Sequence, residues 1–393
     1  MSHRPHQRRR TASKTSQAIR NIVETAIADD RITGAVVLVK YGGELVCQTA
    51  LGFADREAGR AMAVDSLFQL GSLSKLITST AAMVLVAQGR IGLEDPISRW
   101  LPCFKTTGFQ GSPSNITLRH LLSHTAGLDY GFLQDSSQPS YQRAGISDGL
   151  DRTALTLQEN IERIARQALR YPPGSDCRYS LATDVVGALL ASIDGRQSVQ
   201  QALRNLVLDP LKMRDTRFQA VDTERLCAAY RTCGARTVRL SGAHTLSLAP
   251  RRVGLRVDPQ RHEDQVQFAS AGFGLIGTAS DYLTLLETLR TGGAQLIPAS
   301  YIEEMATPQP GAYPLAGQPG RGLGLGFSVL QDPVTASTAE APGTWRHFGL
   351  AGHTWCVDPA QKLSMVMLVN NYIEGSGHSL GQLVVSAIYG ADG

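Results

Sequence analysis

The chain has 393 residues, 42% of them hydrophobic and 18% charged. That length holds one large unit or two coupled ones, and the composition supports a sizeable core, so wholesale disorder is excluded. The net charge is +4, but residues 1–20 carry Arg4, Arg8, Arg9, Arg10, Lys14 and Arg20 and no acid, which leaves 32 basic against 34 acidic side chains beyond them. A near-neutral body argues against a general nucleic-acid-binding protein.

Residues 1–17 are rich in Arg, Ser and His with no apolar run, and they read as a flexible basic tail. No apolar h-region follows the twin arginines, which argues against an export signal; a mitochondrial presequence fits on composition alone. No stretch approaches the roughly 20 apolar residues of a membrane span, so no membrane partner is expected. Cys47, Cys103, Cys177, Cys227, Cys233 and Cys356 show no CxxC spacing and read as free thiols in a reducing cytoplasm.

In chain order, the pattern predicts a helix from about Thr15 to Asp29, with Ile19, Ile22, Val23 and Ala26 on one side. A hairpin follows over Gly34 to Val46, with its turn at Gly42-Gly43. Gly71 to Gly89 reads as a long helix with almost no polar face beyond its first turn, which places it inside a domain. Further helices are expected over 116–124, about 156–169, Asp184 to Ile193 and Asp281 to Arg290. Pro308 to Gly326 is rich in Gly and Pro and reads as loop. Strands return at Thr354 to Val357 and Leu363 to Val369, and an apolar helix follows near Leu380 to Ile388.

Strands at both ends with helices between them imply an α/β (α+β) fold. One antiparallel sheet is flanked by the terminal helices, and a mainly helical subdomain is inserted into it. The expected boundaries are a tail over 1–17, a discontinuous sheet domain over 18–70 and 270–393, and the helical subdomain over 71–269, with the active site between them.

The sharpest motif is Ser72-Leu73-Ser74-Lys75. A chance Ser-x-x-Lys is expected about once in two sequences of this composition, so the tetrad alone is weak. Its context is stronger. Phe68-Gln69-Leu70-Gly71 runs straight into the apolar helix, which puts Ser72 at or near a helix N-terminus. There the first-turn N–H groups lack helical partners and the dipole favours negative charge. A residue three along shares the helix face, so Lys75 can reach the Ser72 hydroxyl. Burial lowers a lysine's pKa, and a neutral amine can take a serine proton. A helix cap by Ser72 with a snorkelling Lys75 accounts for the same residues.

Two further elements add to this. Pro172-Pro173-Gly174 precedes Arg178-Tyr179-Ser180-Leu181 at a helix start, where a tyrosine hydroxyl can point into a cleft; a packed surface tyrosine is the plainer reading. His347 to His353 reads as a strand with glycines, where a substrate can approach the backbone closely.

With these residues in place, the sequence resembles the serine β-lactamase-like superfamily, which includes class C β-lactamases, D-alanyl carboxypeptidases of the penicillin-binding kind and family VIII carboxylesterases. FQLGSLSK, LVAQGRIGLEDPISRWLP, ITLRHLLSHTAGL, PPGSDCRYS, SAGFGLIGTASDY and HFGLAGH occur in that superfamily's order, from about residue 20 to the C-terminus. The family VIII esterases are the most similar in character. The resemblance implies a β-lactamase-like fold, in agreement with the split sheet. It implies that Ser72 is the nucleophile of an acyl-enzyme, that Lys75 is its proton partner and that Tyr179 completes the acid/base pair. It implies an oxyanion hole from the backbone N–H groups of Ser72 and Leu350, with no metal and no organic cofactor. Which of Lys75 and Tyr179 is the base stays open.

Departures from the pattern narrow the substrate. Where β-lactamases of this type show Tyr-x-Asn, Leu181 stands at the third position; where they show Lys-Thr-Gly, His347-Phe348-Gly349 stands. Without that amide and that fixed ammonium, penicillins and D-Ala-D-Ala termini are disfavoured and small uncharged carboxylic esters are favoured. Tyr130, Leu181, His347, Phe348, Gly349 and His353 are the expected substrate-binding residues. An acyltransferase using the same acyl-enzyme, or a β-lactamase or D-amino peptidase, are the alternatives. A non-catalytic binding protein is the weakest reading while Ser72, Lys75 and Tyr179 are all present. The sequence does not give the oligomeric state.

Three motifs read as decoys. Gly145-Ile146-Ser147-Asp148-Gly149 matches the GxSxG esterase signature but lacks the buried strand and following helix of a nucleophile elbow. Arg290-Thr291-Gly292 mimics Lys-Thr-Gly at the end of a helix. His120 and His124 have a zinc-compatible i, i+4 spacing but no glutamate between them, and read as structural.

Overall fold

The apolar run Gly34–Tyr41 forms β1, and Gly42 and Gly43, both with positive φ (61° and 88°), turn it back into β2 (Glu44–Asp55). Two successive positive φ values make the primed hairpin turn that matches strand twist, and glycine adopts them without strain. The computed structural model describes residues 4–134, 139–193, 195, 198–233, 236–246, 254–263, 268–310, 317–349, 352–372 and 379–390. β1 is central in the sheet. It pairs with β2 on one side and with β8 (Leu363–Val369) on the other, with Ala35 opposite Val369 and Val39 opposite Met365. The eight strands run β4 (Arg321–Leu323), β5 (Ser328–Leu330), β6 (Trp345–Phe348), β7 (Thr354–Asp358), β8, β1, β2, β3 (Arg60–Ala61), each antiparallel to its neighbour. The sheet therefore joins the N-terminal hairpin to the C-terminal strands, as expected.

Side chains alternate along each strand, so β1 and β8 feed two cores. On one face Ala35, Val37, Val39, Met365 and Met367 pack against Ile19, Val23 and Ala26 of α1 (Arg4–Ala28) and Val384 and Val385 of α5 (Leu380–Ile388). On the other, Val36, Leu38, Val366 and Leu368 join a larger core with Leu285, Leu286 and Leu289 of α4 (Ala279–Arg290). Each buried Val or Leu contributes about 1.5–3 kcal/mol. Burial on both faces explains why β1 is an unbroken apolar run rather than an alternating one.

The larger core continues into α2 (Ser74–Ala87), whose residues from Ser74 to Leu85 are all buried and which packs against α3 (Ala182–Ile193). The expected helix at Gly71 starts three residues later. Gly71 has φ of 54°, and Gly71–Leu73 forms a tight 3-10 turn before the α-helix begins. At the other end of the chain, the helix expected near Thr15 extends back to Arg4. Pro5 sits in its first turn, where a missing N–H costs nothing, and Gln, Arg, Ala and Lys are good helix formers.

The Gly/Pro-rich stretch expected as loop contains edge strand β4; three residues with a central Gly322 leave no alternation to read. Among the described residues, the expected mainly helical region also holds three antiparallel strand pairs, Gly108–Phe109 with Ser112–Pro113, Tyr230–Cys233 with Arg236–Arg239 and His244–Leu246 with Leu255–Val257. Their short strands carry little apolar signal. Tyr230–Cys233 pairs in parallel with Asn371–Tyr372 and ties this region to the chain beyond β8. All six cysteines are free thiols. No described helix is long and apolar enough to cross a membrane.

Candidate active site

A clamp built from Ala271, Leu275 and Tyr282 fixes the start of α2. The Leu275 N–H donates to Ser74 Oγ (3.2 Å), and the Leu275 carbonyl accepts from the Leu70 N–H (2.8 Å). Thr78 Oγ1 donates to the Ala271 carbonyl (2.8 Å), and Tyr282 Oη donates to that of Leu73 (3.1 Å). Ser72 sits in the 3-10 turn between these ties, 4% exposed.

Tyr179 reaches Ser72 from a second pair of loops. The Gly174 N–H donates to the Thr125 carbonyl (2.8 Å), and the Arg178 N–H to that of His124 (3.0 Å). Arg178 Nε donates to Asp129 Oδ1 (2.8 Å), and the Leu181 N–H donates to the Asp129 carbonyl (3.1 Å). Asp129, wholly buried, thus pins the residues on both sides of Tyr179. Tyr179 Oη donates to Ser72 Oγ at 2.8 Å. Its ring lies 5.0 Å from the His124 ring and 5.2 Å from that of Tyr130. Burial raises the Tyr179 hydroxyl well above its ordinary range, so it is protonated and able to donate at neutral pH.

Lys75, 3% exposed, lies beside the same ring. Its Nζ donates to the Gly272 carbonyl at 2.9 Å and stands 3.7 Å from the Phe273 ring centre and 4.7 Å from that of Tyr179. Helical spacing predicts contact with Ser72; in the structure Tyr179 supplies the hydrogen bond to Ser72 and Lys75 bonds to Gly272 instead. Burial pulls the Lys75 pKa down to about 7, and the Asp184 carboxylate opposes part of that fall. An amine poised near neutrality can hold and release a proton. Aromatic faces around it favour the charged form modestly.

The expected substrate-binding residues have different fates. Tyr130 is wholly buried, stacked on Phe132 at 4.9 Å and near Phe273 at 5.3 Å, with its hydroxyl unpartnered among the described residues. Leu181 is 0% exposed and belongs to the larger core. His347 stands on β6 with its ring 6.3 Å from that of Tyr179, and burial, with Lys75 nearby, lowers its pKa to about 3. Its Nε2 has no hydrogen-bond partner among the described residues. Phe348 ends β6, and the Gly349 N–H donates to the His353 carbonyl at 2.8 Å. Both His353 nitrogens are engaged. Nδ1 accepts from the Val369 N–H (3.1 Å), so Nε2 carries the proton and donates to the Gln69 carbonyl (2.8 Å), three residues before Ser72. Leu350 lies outside the described residues.

The sequence reading gave no role to Asp184, Gly272 or Phe273, and took His124 as structural. His124 packs on Tyr179 and is held neutral by burial, its pKa lowered to about 3; its Nδ1 accepts from the Ser180 N–H at 3.3 Å. The signal for His124, Gly272 and Phe273 was their place in the SHTAGL and SAGFGLIG segments, not their chemistry; Asp184 lies in neither. His120 Nδ1 accepts from the Thr117 N–H and completes a capping box on the helix Leu118–Leu122. Ser147 is buried, its N–H donates to Asn160 Oδ1 and its hydroxyl bonds Asp151, with no regular strand or helix around it. Arg290 ends α4, and Thr291 is its cap. No cluster of three metal-ligating side chains occurs among the described residues.

A sequence model described as Beta-lactamase matches residues 19–386. The chain is 37% identical over 369 residues to Esterase EstB of Burkholderia gladioli, covering 94% of this chain and 93% of that protein. It is 29% identical over 368 residues to Protein Rv1367c of Mycobacterium tuberculosis, 86% of each chain. Among solved structures, EstCE1, described as a hydrolase with promiscuous acyltransferase activity, is similar with a TM-score of 0.91 and 35% identity over 96% of this chain and 99% of that one. Simvastatin synthase (LovD) from Aspergillus terreus, 20% identical with a TM-score of 0.74 over 95% of this chain and 98% of its own, shares the fold.

Proposed function

The chain belongs to the Beta-lactamase family, and from that premise we propose that it is a serine hydrolase that cleaves small uncharged carboxylic esters through an acyl-enzyme on Ser72. The observation that carries this reading is the 2.8 Å bond from Tyr179 Oη to Ser72 Oγ, with Lys75 buried against the same tyrosine ring. The names of two relatives support it, one an esterase and one a hydrolase.

In acylation, Ser72 Oγ attacks the ester carbonyl carbon while its proton passes to the Tyr179/Lys75 pair. The bond from that carbon to the alcohol oxygen breaks, and the departing alkoxide takes the proton. Water then loses a proton to the pair and attacks the acyl carbon, and the acid departs as Ser72 regains its proton. The pair acts as a unit, so no single base is assigned. The Ser72 and Leu350 N–H groups are the proposed oxyanion donors. Hydrogen bonds from the Gly349 N–H to the His353 carbonyl and from the Gly352 N–H to the Gly349 carbonyl fix the backbone on either side of Leu350. Removing one such donor typically costs about 3–4 kcal/mol of transition-state stabilisation.

Neutral substrates follow from the site's charges. His347, where a β-lactamase would present a lysine, is held neutral by burial and offers no fixed charge to a carboxylate. Ser72, Lys75 and Tyr179 come from the region 71–269 and His347 and Gly349 from 270–393, which supports a site between the two expected parts. Six free thiols fit a reducing compartment such as the cytoplasm. Acyl transfer to an alcohol in place of water is the second reading, favoured by the activity ascribed to EstCE1.

The test is intact mass after exposure to a slow ester, with the adduct mapped to a peptide and turnover of p-nitrophenyl butyrate and a chromogenic cephalosporin compared. An acyl group on the Ser72 peptide and faster ester turnover are expected. An adduct elsewhere removes Ser72 as nucleophile, and faster cephalosporin turnover sinks the esterase reading. A competing alcohol that captures most of the acyl group would establish the transferase.

A further inference from the structure

Asp184 lies in the first turn of α3, five residues beyond Tyr179, and its side chain is wholly buried. An acid near a helix N-terminus gains from the dipole, but a surface position gives that gain without the cost of burying a carboxylate. Its surroundings are those of the proposed site. The Gly272 N–H donates to Asp184 Oδ1 at 3.3 Å, while the carbonyl of the same residue accepts from Lys75 Nζ at 2.9 Å. Gly272 is therefore a strap with the acid on its N–H and the amine on its C=O.

The space over the Gly272 Cα is ringed by the same groups. A Cβ placed there would stand 3.1 Å from Asp184 Oδ2, 3.4 Å from Lys75 Nζ and 3.5 Å from Tyr130 Oη. Three polar side-chain atoms from three separate segments converge on one small volume, which a Cβ at this position would crowd. The other walls around Lys75 are the rings of Phe273, Tyr179 and Tyr130, which carry no charge. His124 and His347, the other titratable groups near Lys75, are kept neutral by burial. Arg261 is the other cation near Asp184, but its donors go to the carbonyls of Gly149 and Phe268. The Ser270 hydroxyl also faces the carboxyl.

We infer that Asp184 is a positioning residue for Lys75: its buried carboxylate, linked through Gly272, holds the amine beside Tyr179 and keeps it able to carry the proton that Ser72 releases. The inference deepens the Ser72 acyl-enzyme reading and rests on it. The cycle needs a group that gains the Ser72 proton and gives it to the alkoxide. Within uncharged aromatic walls, a lysine without a counter-charge resists gaining it. Asp184 supplies the counter-charge without touching the substrate.

The experiment compares wild type, Asp184→Asn and Asp184→Glu in kcat and KM for p-nitrophenyl butyrate across pH 5–10, with Ser72 acylation followed by intact mass. For Asp184→Asn we expect kcat to fall about 10–100-fold with KM little changed, and the limb that reports Lys75 to move about one pH unit or more downward, since an opposite charge within roughly 4–6 Å is worth that much and the Asp184 charge raises the Lys75 pKa. Asp184→Glu, which keeps the charge, is expected to restore the limb to its wild-type position even where kcat stays low. An unchanged profile in Asp184→Asn overturns the inference, as does a loss of kcat with no movement of the limb. If Asp184→Asn does not fold, Asp184→Glu decides alone: a limb displaced downward despite the retained charge overturns it. Failure of wild type to acylate Ser72 rejects the underlying mechanism. Acylation in Asp184→Asn with a wild-type pH profile rejects only the part assigned to Asp184.

Discussion

Tyr179 donates its phenolic hydrogen to Ser72 Oγ over 2.8 Å, across 107 positions of sequence. The phenyl ring is held by His124 and Tyr130, whereas the hydroxyl bonds the serine. Tyr179→Phe should therefore keep the packing and lose only the proton path. We expect kcat on p-nitrophenyl esters to fall by about 10²–10⁴, with KM within a few-fold and thermal stability nearly unchanged. A variant with more than a tenth of wild-type kcat would place the proton transfer elsewhere.

Two serines in esterase-like motifs separate cleanly. Ser72→Ala removes the proposed nucleophile and should leave no measurable ester turnover and no fluorophosphonate labelling. Ser147→Ala should retain activity. Its hydroxyl accepts from the Gly149 N–H at 3.1 Å and bonds Asp151, so its loss costs about 1–3 kcal/mol of stability instead. Loss of activity in a folded Ser147→Ala protein, with activity kept in Ser72→Ala, would revive the elbow reading.

The sheet was legible because β1 and the C-terminal strands are long apolar runs with glycine at the turn. The 3-10 turn at Gly71–Leu73 was not, because Gly71's positive φ is a tertiary requirement that the helical pattern after it hides. At the site, Ser72, Lys75 and Tyr179 could be named from spacing and resemblance. Their connectivity could not. Helical spacing brings Lys75 toward Ser72, yet the Gly272 carbonyl, 197 residues away in sequence, takes its hydrogen bond. Asp184 looked like an ordinary first-turn acid, and only its burial sets it apart.

Leu181 occupies the position of an amide in β-lactamases, which invites Leu181→Asn as a route to β-lactam hydrolysis. Its side chain is 0% exposed and packed in the larger core. A buried amide without partners costs about 1–3 kcal/mol. We expect a lower urea midpoint and no gain in cephalosporin turnover. A gain without loss of stability would show that this side chain turns into the cleft.

Acid should destabilise the fold through its buried histidines. Burial lowers the pKa of His124 and His262 to about 3 and that of His353 to about 4. Unfolded, each takes up a proton near pH 6.5; folded, each stays neutral to far lower pH. Their contribution is fully present above pH 6.5 and is lost as pH falls from there toward 4, at about 1.4 kcal/mol per pH unit for each group. Asp148, pushed up to about 7 by burial, runs the other way and offsets one of them between about pH 6.5 and 4. His262 provides the test, since its ring bonds the Phe218 carbonyl at 3.0 Å and takes no part in the proposed proton transfer. The urea midpoint of wild type should drop steeply between pH 6.5 and 5. His262→Phe, whatever its stability at pH 8, should show a slope shallower by one proton. An unchanged slope would mean that His262 is already charged in the folded protein.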